Sequence, residues 1–175
     1  MNPELIEIIT LIILTIALVI TAFQLNLLRQ NRIEQHDWNR RIAAQKALYE
    51  YKAKGAWKHL DAVFDYHDDT NPIQAKEIKE AFLKEDNLKS ELFDLLNFYE
   101  SLARGINYGI YDESVIKAAR KNAMIKVTHF FKAYIRHYRQ EKNPHAWIQF
   151  TDTVERWKNE DRLPLEGKRQ IARKP

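Results

Sequence analysis

Cysteine is missing from this chain, and glycine and proline are scarce, four and five in 175 residues. Without cysteine there is no disulfide framework, no thiolate metal site and no thiol nucleophile. So few glycines leave no Gly-rich phosphate loop, and no serine stands in the strand–turn–helix setting of a hydrolase nucleophile. No segment keeps the two-residue period of a strand, and no internal repeat is present. Carboxylates are plentiful, but nothing in their spacing positions two of them for acid–base catalysis. The expectation is therefore a non-enzymatic protein with no cofactor.

Charge is also missing locally. Between Ile8 and Leu28 no residue is charged, and no Lys or Arg precedes Arg29. A helix over these positions is roughly 31 Å long, the thickness of a bilayer's hydrocarbon core. A cleavable signal peptide would have a basic start and a shorter apolar run; here the start carries Glu4 and Glu7, and Thr21-Ala22-Phe23 is a poor cleavage site. The segment reads as a transmembrane signal anchor. Arg29, Arg32, Arg40 and Arg41 follow it, so the positive-inside rule puts the C-terminal part in the cytoplasm, against the inner membrane, and the N-terminus outside.

The remainder divides by charge. Residues 29–60 carry a net +5, residues 61–115 a net −8 and residues 116–175 a net +9. Pairing within the chain explains this pattern at least as well as an external polyanion does. Three divisions follow: an anchor over 1–30, a helical domain over 31–160 and a basic, disordered tail over 161–175.

Helical periodicity predicts about five helices in the domain, an all-α fold. The first continues from the anchor to Asp69 with Ala44, Leu48, Tyr51, Leu60, Val63, Phe64 and His67 on one face. Asn71 and Pro72 cap and open a second that runs to about Lys84. A third spans 88–107, its inward face formed by Leu88, Leu92, Leu95, Leu96, Tyr99, Leu102, Ala103 and Ile106. Gly109 suits a left-handed C-terminal residue, and Asp112 an N-cap for a fourth helix over 113–141. That helix places Ile116, Ala119, Ala123, Val127, Phe130, Phe131, Tyr134 and Tyr138 inward. A basic face of Lys117, Arg120, Lys121, Lys132, Arg136 and Arg139 covers much of its other side. After Pro144 a fifth helix sets Trp147, Phe150, Val154 and Trp157 at three- and four-residue steps.

Leu95-Leu96-Asn97-Phe98-Tyr99-Glu100-Ser101-Leu102-Ala103-Arg104-Gly105-Ile106, with Tyr108-Gly109-Ile110-Tyr111-Asp112-Glu113 after it, resembles a bacterial family known only as a domain of unknown function. The resemblance implies an N-terminal membrane helix, a helical cytoplasmic region and a bacterial or prophage origin. It implies no activity.

Three constellations invite a functional reading. Asn97, Glu100 and Arg104 project from the polar face of the third helix as a candidate polar site; the plainer reading is a structural bond to a neighbouring helix, or a solvated ion pair. The basic face of the fourth helix suits phosphates, and equally a solvated face paired with the acidic middle segment. Asp61, Asp65, Asp68, Asp69 and His67 lie too nearly along one helix to surround a metal ion. A seam also runs along the anchor: Thr10, Leu14, Ala17, Thr21, Gln24 and Leu28 alternate by four and three residues. It continues through Asn31, Gln35, Trp38, Ile42, Gln45 and Tyr49, a coiled-coil pattern that suits a homo-oligomer. The sequence thus describes a membrane-anchored interaction module whose partners are the lipid bilayer and a second copy or another protein. The alternatives are a tethered nucleic-acid-binding protein and a phage-related toxin or exclusion factor.

Overall fold

The computed structural model describes residues 3–52, 56–66, 71–85 and 87–162, apart from the side chains of 5–8, 10, 51, 52, 56 and 57. Among them are seven helices and no strand: α1 (Pro3–Lys52), α2 (Ala56–Phe64), α3 (Ala75–Lys84), α4 (Leu88–Asn107), α5 (Glu113–Phe130), α6 (Lys132–Glu141) and α7 (Ile148–Arg162). The chain forms two compact units, Met1–Arg40 and Arg41–Pro175.

In the first unit, α1 is long and apolar enough to cross a membrane. Its most apolar 18-residue stretch has a mean hydropathy of 2.4 and is entirely unburied. The threonine hydroxyls return to the helix, Thr15 Oγ1 donating to Leu11 O and Thr21 Oγ1 to Ala17 O, both at 2.8 Å. These two hydroxyls thus satisfy themselves locally.

The second unit is built around α4, which packs against α2, α3, α5 and α7. All eight inward residues expected on α4 are buried. Leu60, Ile78, Ile116, Met124, Phe131, Phe150 and Trp157 meet them from the surrounding helices, and Ala44 from the end of α1. Aromatic rings join in edge-on pairs such as Phe64–Phe131 and Phe93–Trp147, centroids 5.7 and 5.4 Å apart. Such pairs add about 0.5–1.5 kcal/mol each beyond area burial.

The α4–α5 turn accounts for much of the 95–113 stretch. Gly109 takes φ +69°, the left-handed conformation glycine tolerates. The amides of Ile110 and Tyr111 both donate to Gly105 O, at 2.8 and 3.1 Å. Gly105 lies under the Tyr111 ring, where a Cβ would meet Cδ2 at 2.2 Å. Asp112 caps α5 by accepting from Ser114 N at 2.8 Å, and Arg41 Nε donates to its second oxygen at 3.1 Å. The Ser114 hydroxyl, first among these contacts, holds the Asp112 carboxyl below the usual carboxylate range against the opposing effect of burial.

Several expectations change. The first helix of the domain does not run unbroken to Asp69: α1 ends at Lys52, α2 ends at Phe64, and Asp65 turns the chain with φ 50°. Val63, expected inward, is at the margin with 36% exposure; the Tyr51 side chain, His67, Asp68 and Asp69 lie outside the described residues. Asn71 and Pro72 do not open α3. Gln74 occupies its N-cap position without a side-chain bond, because the preceding segment is used elsewhere: Ile73 N donates to Phe130 O at 3.2 Å. That same bond accompanies a break in the expected fourth helix. Phe131, with φ −91° and ψ 13°, separates α5 from α6. In a straight helix consecutive residues point 100° apart; the break lets Phe130 and Phe131 both enter the core, 3% and 0% exposed.

The inward face of α5 is also rotated from expectation. Ala119 is exposed and Ala123 half-buried, while Met124 is buried and Arg120 half-buried. The inward path runs Ile116, Arg120, Met124, Val127, Phe131. The long Met124 chain and the aliphatic stem of Arg120 fill space that small alanines would leave empty. At the C-terminal end, α7 runs through Arg162 and takes in Asp161 and Arg162 from the expected tail; residues 163–175 lie outside the described residues.

Candidate functional site

Asn97 and Glu100 both reach the start of α7. Trp147 Nε1 donates to Asn97 Oδ1 at 2.9 Å, and Phe150 N donates to Glu100 Oε2 at 2.8 Å. Phe150 is the third residue of α7, so Glu100 satisfies one of the amides that a helix start leaves open, and its charge suits the positive end of the helix dipole. Glu100 is 9% exposed rather than lying on a polar face. Its other oxygen is 3.5 Å from Arg104 Nη2, whose side chain is 57% exposed. Trp147 enters α7 with φ 53°, an uncommon conformation for a bulky residue. The Asn97 bond and a ring contact with Tyr138 at 4.9 Å hold it there. This geometry joins α4 to α7.

The six basic residues do not form one free face. Lys117 pairs with Glu160, and Lys121 with Asp161 at 2.5 Å. Their acids come from α7, not from the acidic middle segment. Arg139 donates to Ala146 O at 2.7 Å and to Thr151 Oγ1 at 2.9 Å. Arg120 lies inward, its Nε buried without a hydrogen-bond partner among the described residues. Its charge partly offsets the burial that pushes the Tyr99 hydroxyl up to about 12. Lys132 and Arg136 remain exposed. Glu113, in the first turn of α5, accepts from Trp157 Nε1 and Arg156 Nη1, both at 2.5 Å.

Of the seam, Leu14 is 61% and Leu28 58% exposed, and Ala17, Thr21 and Gln24 are exposed; the Thr10 side chain lies outside the described residues. In the second unit, Ile42 and Tyr49 are 45% and 77% exposed while Ala44 is fully buried. The end of α1 therefore uses one face for the core and leaves another uncovered. No group of three or more metal-ligating side chains gathers among the described residues.

Two features escaped the sequence reading. His59 Nδ1 lies 2.6 Å from Glu91 Oε2 and its Nε2 3.0 Å from Glu85 Oε2, which raises its pKa through the Glu91 hydrogen bond first. A groove of about 360 Å³ is lined by Ala47 and Glu50 of α1, Asp94, Asn97, Phe98, Ser101 and Leu102 of α4, and Tyr111. The i, i+3, i+4, i+7 spacing of Asp94, Asn97, Phe98 and Ser101 was the available signal, since it sets four side chains along one strip of a helix.

Taken together, these features define an all-helical protein with a long apolar N-terminal helix and a bundle closed by polar clamps. The chain belongs to the family described as a domain of unknown function (DUF4760), whose model matches residues 11–157. No curated protein and no solved structure matches it.

Proposed function

We propose that the protein is a membrane-anchored helical interaction module. On this reading α1 crosses the inner membrane, N-terminus outside, and the bundle works at the cytoplasmic face by self-association or by binding a protein partner. The observation that carries the reading is the uncovered apolar surface of α1. Leu11, Leu14, Leu18, Val19, Phe23, Leu25 and Leu28 are each more than half exposed. A contiguous apolar surface of that kind calls for lipid or protein to cover it. The arginines from Arg29 onward support the orientation.

Self-association is supported by the seam. Small Ala17 and Thr21 permit close helix approach in lipid, and Gln24 offers an amide to its counterpart across a two-fold axis. The exposure of Ile42 and Tyr49 keeps the same sequence pattern uncovered in the second unit. A nucleic-acid role draws less support. With Lys117, Lys121 and Arg139 engaged internally and Arg120 turned inward, Lys132 and Arg136 alone of the six are left for phosphates. Each phosphate contact contributes separately to salt-dependent affinity, so two make a weak site.

The test is crosslinking of the full chain in native membranes, with a C-terminal reporter to fix topology. Gln24→Leu and Ala17→Leu should weaken association, and Val19→Leu, off the seam, should not. The reporter should work in the cytoplasm. Strict monomers would refute self-association, and a reporter active only outside would refute the orientation.

A further inference from the structure

The groove between the end of α1 and α4 carries a single sign of charge among the described residues. These give its lining two carboxylates, Glu50 and Asp94, and no Lys, Arg or His. Asp94 is exposed and has no ion-pair partner among the described residues; Glu50 has Lys46 at 3.9 Å, both side chains well exposed. Ala47 and Leu102 add apolar surface, Phe98 and Tyr111 aromatic rings, and Asn97 and Ser101 neutral polar groups. A second cavity, about 420 Å³ between α5–α6 and α7, mixes Lys132, Arg136 and Lys158 with Asp152 and Glu155 and so selects neither sign.

We infer that this groove receives an arginine side chain presented by an extended segment of a protein partner. At about 360 Å³ it lies at the small end of ligand-sized cavities, roughly 300–1,000 Å³. That volume is smaller than one turn of a helix with its side chains, a cylinder about 10–12 Å across and about 5.4 Å long. Arginine matches the lining better than lysine does. Its planar guanidinium stacks on aromatic rings and meets a carboxylate through two parallel hydrogen bonds, while its stem covers apolar surface. The walls are set in advance. Tyr111 is fixed over Gly105 by the turn, and Arg41 ties that turn to α1 through Asp112. A site ordered before binding loses less entropy on binding.

The experiment follows the methyl resonances of Ala47 and Leu102 in the full chain in neutral detergent. The probes are the peptide acetyl-Gly-Gly-Arg-Gly-Gly-amide and its Gln analogue. The Arg peptide should shift both methyls saturably, and the Gln peptide should bind at least about tenfold more weakly, the loss expected with a charge-assisted pair. Asp94→Asn, at an exposed position, should weaken the Arg peptide by a similar factor and Glu50→Gln by less. Asp152→Asn, in the other groove, should change nothing. Equal binding of the two peptides, shifts elsewhere, undiminished affinity in Asp94→Asn, or no shift up to about 5 mM, where even millimolar affinity saturates, would each overturn the assignment.

Discussion

Replacing Gly105 with alanine sets two effects of similar size against each other. Alanine in a helix interior is favoured over glycine by about 0.8–1.0 kcal/mol. Against this, the new Cβ would sit 2.2 Å from Tyr111 Cδ2 and 2.3 Å from Cε2, where carbon atoms prefer about 3.5–4.0 Å. The ring has to retreat by more than 1 Å, and its own backbone amide is bonded to Gly105 O. Overpacking of this kind costs about 1–3 kcal/mol, and the bonded turn puts the cost in the upper half of that range. The net expectation is a loss of about 1–2 kcal/mol, a fall in Tm of roughly 3–8 °C for a unit of this size. Thermal unfolding of the full chain, followed by circular dichroism, reads it. The decisive comparison is a double-mutant cycle with Tyr111→Ala. Once the ring is gone, Gly105→Ala should become neutral or stabilising. Equal destabilisation in both backgrounds would refute the contact, and stabilisation in the wild-type background would show that the turn gives way freely.

Phe130→Ala should cost about 3–5 kcal/mol, the loss typical of a buried aromatic, whereas Lys132→Ala should change stability by less than about 0.5 kcal/mol; denaturant titration separates them, and equal effects would contradict the observed faces of α5 and α6. Glu100→Ala leaves the Phe150 amide without its acceptor and should cost about 1–3 kcal/mol, with Glu100→Gln recovering part of it; a neutral Glu100→Ala would mean that water replaces the carboxylate. His59 has a raised folded pKa, so its contribution is fully present below its unfolded value near 6.5 and is lost as pH rises through the folded one. The Tm difference between wild type and His59→Gln should therefore shrink on going from weakly acidic to weakly alkaline solution, and a difference that grows would reverse the assignment.

The fold was most legible where local pattern and tertiary role agree. On α4 the eight apolar positions form one stripe and Gly109 marks the end, so bounds and burial follow from periodicity alone. The start of α5 was legible for the same reason, since an Asp followed by Glu113 and Ser114 carries its capping chemistry locally. The division of the expected fourth helix was not. It coincides with an amide from Ile73, far away in sequence, reaching Phe130 O, and no property of residues 113–141 announces that donor. The late start of α3 at Ala75 has the same character, because the bond from Ile73 holds the segment just before it.

The polar clamps were partly legible: a structural bond to a neighbouring helix was the plainer reading of Asn97 and Glu100, and both bond to the start of α7, but the faces expected of Glu100 and Arg120 were not the ones they take. Glu100 stands four residues after Leu96 and three before Ala103, both fully buried. Those steps place it in the α4 stripe, not on the opposite face. Arg120 stands in the same way four residues after Ile116 and four before Met124, both fully buried. A charged residue inside an apolar stripe has to find partners or extend past the core. Glu100 finds the first turn of α7, and Arg120 lays its stem along the core beside Tyr99. Treating every charge as solvent-facing put both on the wrong side. What periodicity leaves unstated is the partner, because the amide that Glu100 accepts belongs to a helix fifty residues away in sequence. The acidic groove follows from that placement. With Glu100 committed to α7, the carboxylates of α4 and α1 that remain beside Phe98 and Tyr111 are Asp94 and Glu50; among the described residues Asp94 has no ion-pair partner and Glu50 has only the exposed Lys46, at 3.9 Å, so a cation from outside can pair with both.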